Sequence, residues 1–144
     1  MSEKNKNIYL LSSFTIDPLK DNIEKIGNAE NRSVQVTVGP YNQIVASCIN
    51  EQSELYKNHV DVLVVWFRLE DLLGRTDFYH DEVIKTAQND IKMFFNAVYH
   101  AKEKLQCELI FVLPGRIESN PLGIGDMQLN RGITKVSLDF RKYF

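Results

Sequence analysis

The residues equipped for chemistry sit where apolar runs give way to polar ones. Arg68-Leu69-Glu70-Asp71 follows the run Val60 to Phe67 directly. A guanidinium there can grip a carboxylate or a phosphate through two parallel hydrogen bonds. Glu70 and Asp71 beside it can equally close it into a structural ion pair, the commoner fate of charged loop residues. Ser12, Ser13 and Thr15 end the first apolar run. A serine attacks only when a base takes its proton, and short hydroxyls at a strand-to-helix junction ordinarily satisfy backbone groups. Tyr41, Asn42 and Gln43 follow Gly39-Pro40. The Asn42 and Gln43 amides suit a polar ligand, or simply tie down the turn. Gly123, Gly125 and Asp126 come after the last apolar strand. These glycines read as turn residues, because the Gly-x-x-x-x-Gly-Lys pattern of a phosphate cradle is absent. Of the histidines, His59 precedes the central run at the end away from Arg68, His80 starts a helix, and His100 falls on the outer side of that helix. Asp77-Phe78-Tyr79-His80 is the single Asp-x-x-His, a pattern too short to carry a catalytic assignment by itself.

These residues need a frame. Val60 to Phe67 is broken only by Asp61, so both faces are apolar and both need covering, as in a parallel sheet flanked by helices. Ile8 to Leu11 gives a first strand, and Asp17-Pro18 starts a helix with Asp17 as its cap. Leu19, Ile23 and Ile26 keep helical spacing to Gly27, which reads as a left-handed stop. Ser33 to Val38 alternates, as a half-exposed strand near an edge does. A helix over Ile44 to Ile49 and a short piece at Leu55-Tyr56 come next. After the central strand, a loop from Leu72 to Tyr79 leads to a long amphipathic helix from Asp81 to Leu105. Glu108 to Leu113 is a fourth strand, Arg116 to Asp126 a loop, and Lys135 to Arg141 an alternating edge strand. The series predicts an α/β three-layer sandwich, a mostly parallel sheet in the order 2-1-3-4 with the last strand added at the edge. Ligands bind such sheets at the carboxyl ends of the strands. That rule sets Ser12, Ser13, Gly39, Tyr41 to Gln43, Arg68 to Asp71 and Asp126 on one rim.

The 144 residues suit one domain, and a net charge of -2 makes no electrostatic case for nucleic acid or an anionic membrane. The polar start and the lack of a long apolar stretch point to a cytoplasmic protein. Cys48 and Cys107 fit no metal or redox spacing, so both are expected reduced and buried, with no metal and no cofactor.

Four pieces together carry a resemblance: Leu11-Ser12-Ser13-Phe14-Thr15-Ile16-Asp17, Gly39-Pro40-Tyr41-Asn42-Gln43, Ser53-Glu54-Leu55-Tyr56 and Arg68-Leu69-Glu70-Asp71. In order and spacing the chain resembles the N-terminal, SGNH-hydrolase-like domain of FkbH-like proteins. The resemblance implies an SGNH or flavodoxin-like sheet joined elsewhere to a haloacid-dehalogenase-type domain. It also implies a role in loading a glyceryl unit onto an acyl carrier protein, for methoxymalonyl-type polyketide extender units or for polysaccharides. No Asp-x-Asp occurs here, so that second domain's phosphate chemistry is not expected of this chain. The domain also looks shortened at its C-terminal end, leaving an edge near Lys135 to Phe144 that could pair with a second copy.

SGNH hydrolases place a serine after the first strand, a glycine after the second, an asparagine after the third, and Asp-x-x-His near the end. By that pattern Ser12 or Ser13 is the candidate nucleophile and Gly39 the candidate oxyanion residue. The third place offers Arg68, Glu70 and Asp71 instead of asparagine. The first expectation is therefore a degenerate recognition domain that binds a carrier protein, a substrate or a haloacid-dehalogenase-type partner domain. The second is an SGNH-type serine esterase or acyltransferase using Ser12 or Ser13.

Overall fold

The computed structural model describes residues 5–74, 80–113, 124–128 and 132–143. The chain divides into two compact units, Met1–Phe67 with Ala97–Leu113, and Arg68–Asn96 with Pro114–Phe144.

The first unit is built on four parallel strands: β1 (Lys6–Ser12), β2 (Val34–Val38), β3 (Val62–Trp66) and β4 (Glu108–Val112), in the order β2-β1-β3-β4. This is the order expected from the strand–helix alternation. Successive residues of a strand point to opposite faces. On one face, α1 (Asp17–Ala29) covers Leu10 and Val36, with Ile16, Leu19, Ile23, Phe14 and Trp66 packed around them. Phe14 meets Trp66 edge to face at 5.2 Å. On the other face Tyr9, Leu11, Leu63 and Val65 are buried. So are Cys48 of α2 (Ile44–Ile49), Leu55 of α3 (Glu54–Lys57), and Val98 and Ala101 in the last turns of α5 (Asp81–Leu105). Both cysteines are free and buried. Burial, followed by the neighbouring Cys107, pushes the Cys48 thiol up to about 12, so it stays protonated.

The start of α1 carries no side-chain cap, and Ile16 rather than Asp17 occupies the cap position. Its end also differs from expectation. Gly27 lies inside the helix, and Asn31 takes the left-handed conformation (φ 55°). Gly27 is required for closeness instead: a Cβ there would stand 2.8 Å from Val34 Cγ2. From the middle of α1, Glu24 reaches the edge strand and accepts the Val36 N–H at 3.0 Å.

Asp61, the one polar residue in the central run, stitches three strands. Its N–H donates to the Asn7 carbonyl (2.9 Å), its carbonyl accepts from Glu108 N–H (2.9 Å), and its carboxylate accepts the Asn7 N–H (2.8 Å). The Asn7 N–H, more than His59, holds the Asp61 carboxyl below the usual carboxylate range. A depressed folded value adds stability that is complete above the unfolded aspartate value of ~3.9 and is lost as pH falls through the folded one. Denaturant midpoints should therefore drop as pH falls below about 4, and Asp61→Asn should flatten that dependence. An equally steep acid limb in the variant would assign it to other carboxylates.

The second unit contains α4 (Leu69–Leu73), the first turns of α5, α6 (Ile124–Gln128), α7 (Ile133–Phe140) and a 3-10 turn (Arg141–Tyr143). Phe95 is the hub of its aromatic core, stacked on Tyr143 at 5.3 Å and touching Phe94 and Phe140, each at 5.5 Å. Leu72 and Leu73 belong to α4, not to a loop, and Gly74 (φ 67°) ends that helix. Residues 75–79, with Asp77, lie outside the described residues, as do 114–123 with Gly123. Ile124 to Asp126, expected in a loop, are helical.

The larger correction is at Lys135 to Arg141. The alternation of Val136, Leu138 and Phe140 suggested an edge strand, but Lys135 to Phe140 belong to α7, a helix, and Arg141 to the 3-10 turn after it. Val136 and Phe140, one helical turn apart, are buried, Leu138 between them is 55% exposed, and Lys135 pairs with Asp139 at i,i+4. The strand edge that would have paired with a second copy is therefore absent. Asp139 is buried, which pushes its carboxyl up, but Lys142 and Lys135 outweigh this and leave it lowered. Among the described residues, no helix is long and apolar enough to cross a membrane.

Candidate binding rim

At the carboxyl end of β1 the sheet's hydrogen bonding runs one residue past the strand. Ser12 is in register with Trp66, and Ser13 N–H donates to the Trp66 carbonyl at 3.2 Å. Both serines are buried. The Ser12 hydroxyl oxygen accepts the Phe14 N–H at 3.1 Å, the hydroxyl-to-backbone turn typical of a strand leaving a sheet. Beside it, Gly39 N–H donates to the Leu10 carbonyl at 2.8 Å. A Cβ on Gly39 would stand 2.6 Å from Leu11 Cδ2 and 2.9 Å from Tyr9 Cε1, so the residue is glycine for close approach.

The turn that follows folds back onto β1. Asn42 adopts φ 52°, a left-handed conformation that asparagine tolerates, and donates its N–H to the Ser12 carbonyl at 3.1 Å. Gln43 stands just before α2 and accepts the Ser47 N–H at 2.8 Å. Tyr41, Asn42 and Gln43 are all exposed, Tyr41 by 64%. The structure thus gathers Ser12, Ser13, Gly39 and Tyr41 to Gln43 at one place in the first unit.

What this rim can do chemically follows from how its polar groups are used. The Gly39 and Asn42 N–H groups, the natural oxyanion donors, are already bonded to carbonyls. In this unit His59 pairs with Asp61 at the amino end of β3, its Nε2 3.2 Å from the carboxylate. His100 is exposed on α5. Neither imidazole bonds the Ser12 hydroxyl.

In the second unit Arg68 immediately precedes α4 and forms a two-pronged pair with Asp71, Nε to Oδ2 at 2.7 Å and Nη2 to Oδ1 at 2.8 Å. Glu70 is exposed. Asp126 is fully buried, and its carboxylate accepts the Thr134 N–H at 2.8 Å, at the first turn of α7. A lone acidic residue in a Gly-rich stretch gives no sign of that bond, which depends on a partner eight residues on. His80 is exposed just before α5. Among the described residues, no group of three or more His, Cys, Asp or Glu side chains is placed to hold a metal ion.

No family model and no curated protein sequence matches this chain. A solved structure does: the N-terminal part of the protein BF1531 from Bacteroides fragilis, described as containing a phosphatase domain complexed with Mg. The TM-score is 0.80 at 14% sequence identity. The two chains share a fold. The match takes in 99% of this chain but 37% of the Bacteroides chain, so the chain spans little more than a third of that structure.

Proposed function

We propose that this is a recognition domain of FkbH-like type, serving a glyceryl- or methoxymalonyl-carrier or polysaccharide pathway. On this reading Tyr41, Asn42 and Gln43 dock an acyl carrier protein, and phosphoryl chemistry belongs to a partner domain. The observation that carries it is the division of labour on the rim. The Ser12 hydroxyl oxygen accepts a backbone N–H and the Gly39 and Asn42 N–H groups donate to backbone carbonyls, while Tyr41 to Gln43 are exposed. Such a surface is built to be touched rather than to polarise a carbonyl, which needs free donors. The fold shared with part of a chain described as containing a phosphatase domain is consistent with an FkbH-like setting.

The test is an amide titration of the 15N-labelled chain with its cognate acyl carrier protein. Shifts centred on Ser12 to Phe14 and Tyr41 to Gln43 are expected, and none there at saturating carrier would remove the reading. A fluorophosphonate probe should leave Ser12 and Ser13 unmodified. Labelling of either would install the SGNH esterase or acyltransferase in its place.

A further inference from the structure

A second surface lies toward the opposite, amino end of the strands and does not depend on the carrier reading. In the β1–β2 register Asn7 stands opposite Gln35 and Tyr9 opposite Thr37. Residues two apart share a face, so the four form a polar patch on one side of the sheet. Together with Asn58 and His59, which lead into β3, they line a cleft of about 220 Å³.

Two features distinguish this cleft from ordinary surface relief. Tyr9 lines it yet is only 2% exposed, and its hydroxyl bonds to no described residue. Buried phenols are ordinarily hydrogen-bonded. Every fully sealed side-chain oxygen or nitrogen among the described residues does have a partner, so the Tyr9 oxygen is not fully sealed, and Glu54 is the charge that acts on it most. The second feature is His59. Its Nε2 lies 3.2 Å from Asp61, which is itself fixed by the Asn7 N–H, while the ring is 69% exposed. Nδ1 bonds to no described residue.

The lining chemistry narrows the ligand. Three carboxamides and two hydroxyls offer donors and acceptors in mixture. No lysine, arginine, aspartate or glutamate lines the cleft to balance an ionic ligand. The volume falls below the ~300–1,000 Å³ of drug-sized pockets, which suits one small molecule rather than a polymer. We propose that the cleft binds a small neutral polyhydroxy compound, a monosaccharide or polyol, through Tyr9, Thr37, Gln35 and His59.

The test is an NMR titration of the full chain with D-glucose, D-galactose and glycerol, with inorganic phosphate as the anionic counter-probe. Saturable shifts are expected at the side-chain amides of Asn7, Gln35 and Asn58 and at the His59 ring, with a Kd in the ~mM range. The Tyr41 to Gln43 amides should not move, which separates this result from carrier docking. Gln35→Ala and Thr37→Val, on an edge strand, should keep the thermal midpoint and weaken binding about tenfold, the effect of one lost hydrogen bond. Tyr9→Phe should do the same while keeping the ring. Three outcomes overturn the proposal: no saturation with any of the three compounds, saturation unaltered in all three variants, or a response to phosphate alone.

Discussion

Gly132→Ala should lower the stability of this protein by about 3 kcal/mol, one of the two largest single-residue effects expected. Gly132 stands just before α7 with φ 105° and ψ -178°, a conformation open essentially to glycine alone. Backbone strain of that kind costs ~1–3 kcal/mol. The added Cβ would also lie 2.2 Å from Asp126 Oδ1, which cannot swing into solvent because the residue is fully buried. Displacing the carboxylate forfeits its bond to Thr134 N–H, and losing a cap of this type costs ~1 kcal/mol. A urea melt of the variant measures the sum. Asp126→Ala loses the cap but makes room, so the double variant should be less destabilised than the two single changes added together. Strict additivity would separate Gly132 from Asp126.

Leu63→Ala should cost a similar amount, ~2–5 kcal/mol. Leu63 is fully buried in the middle of β3, in register with Tyr9 on one side and Leu109 on the other. Truncation leaves a cavity flanked by strands that are fixed by their hydrogen bonds and cannot close over it. The thermal midpoint should fall by roughly 10 °C for a chain of this size. Leu138→Ala is the matched control, because Leu138 is 55% exposed and should lose only a few tenths of a kcal/mol. A small effect at Leu63 would mean that the sheet relaxes into the gap.

The sheet was legible because its signals are local. An apolar run with one interruption places β3 at the centre, alternation places β2 at an edge, and a long stripe of apolar residues places α5. The C-terminal segment was not legible from alternation. Val136 and Phe140 fit the helical period as well as a period of two, Leu138 fits only the latter, and short apolar runs leave that choice open. The i,i+4 pair Lys135–Asp139 was the available clue. Gly27 misled because a glycine late in a helix signals both a stop and a close approach, and only the position of Val34 decides between them. Ser12 and the Tyr41 to Gln43 turn could be listed as candidates from sequence. The bond from Asn42 N–H to the Ser12 carbonyl, which turns a list into a place, joins residues thirty apart. The amino-end cleft was invisible for the same reason, since it exists only once Asn7 meets Gln35 and Tyr9 meets Thr37.

The Glu24 carboxylate has a consequence for how this protein fails under stress. By occupying the outward N–H of Val36 it posts a guard on the β2 flank, so a foreign strand must evict α1 before it can zip on there. Among the described residues no strand lies beyond β4, where Ile110 and Leu113 are exposed. Strand accretion is therefore expected at the β4 flank before the β2 flank. A lysine in place of Ile110 is the gatekeeper that would shut the β4 flank.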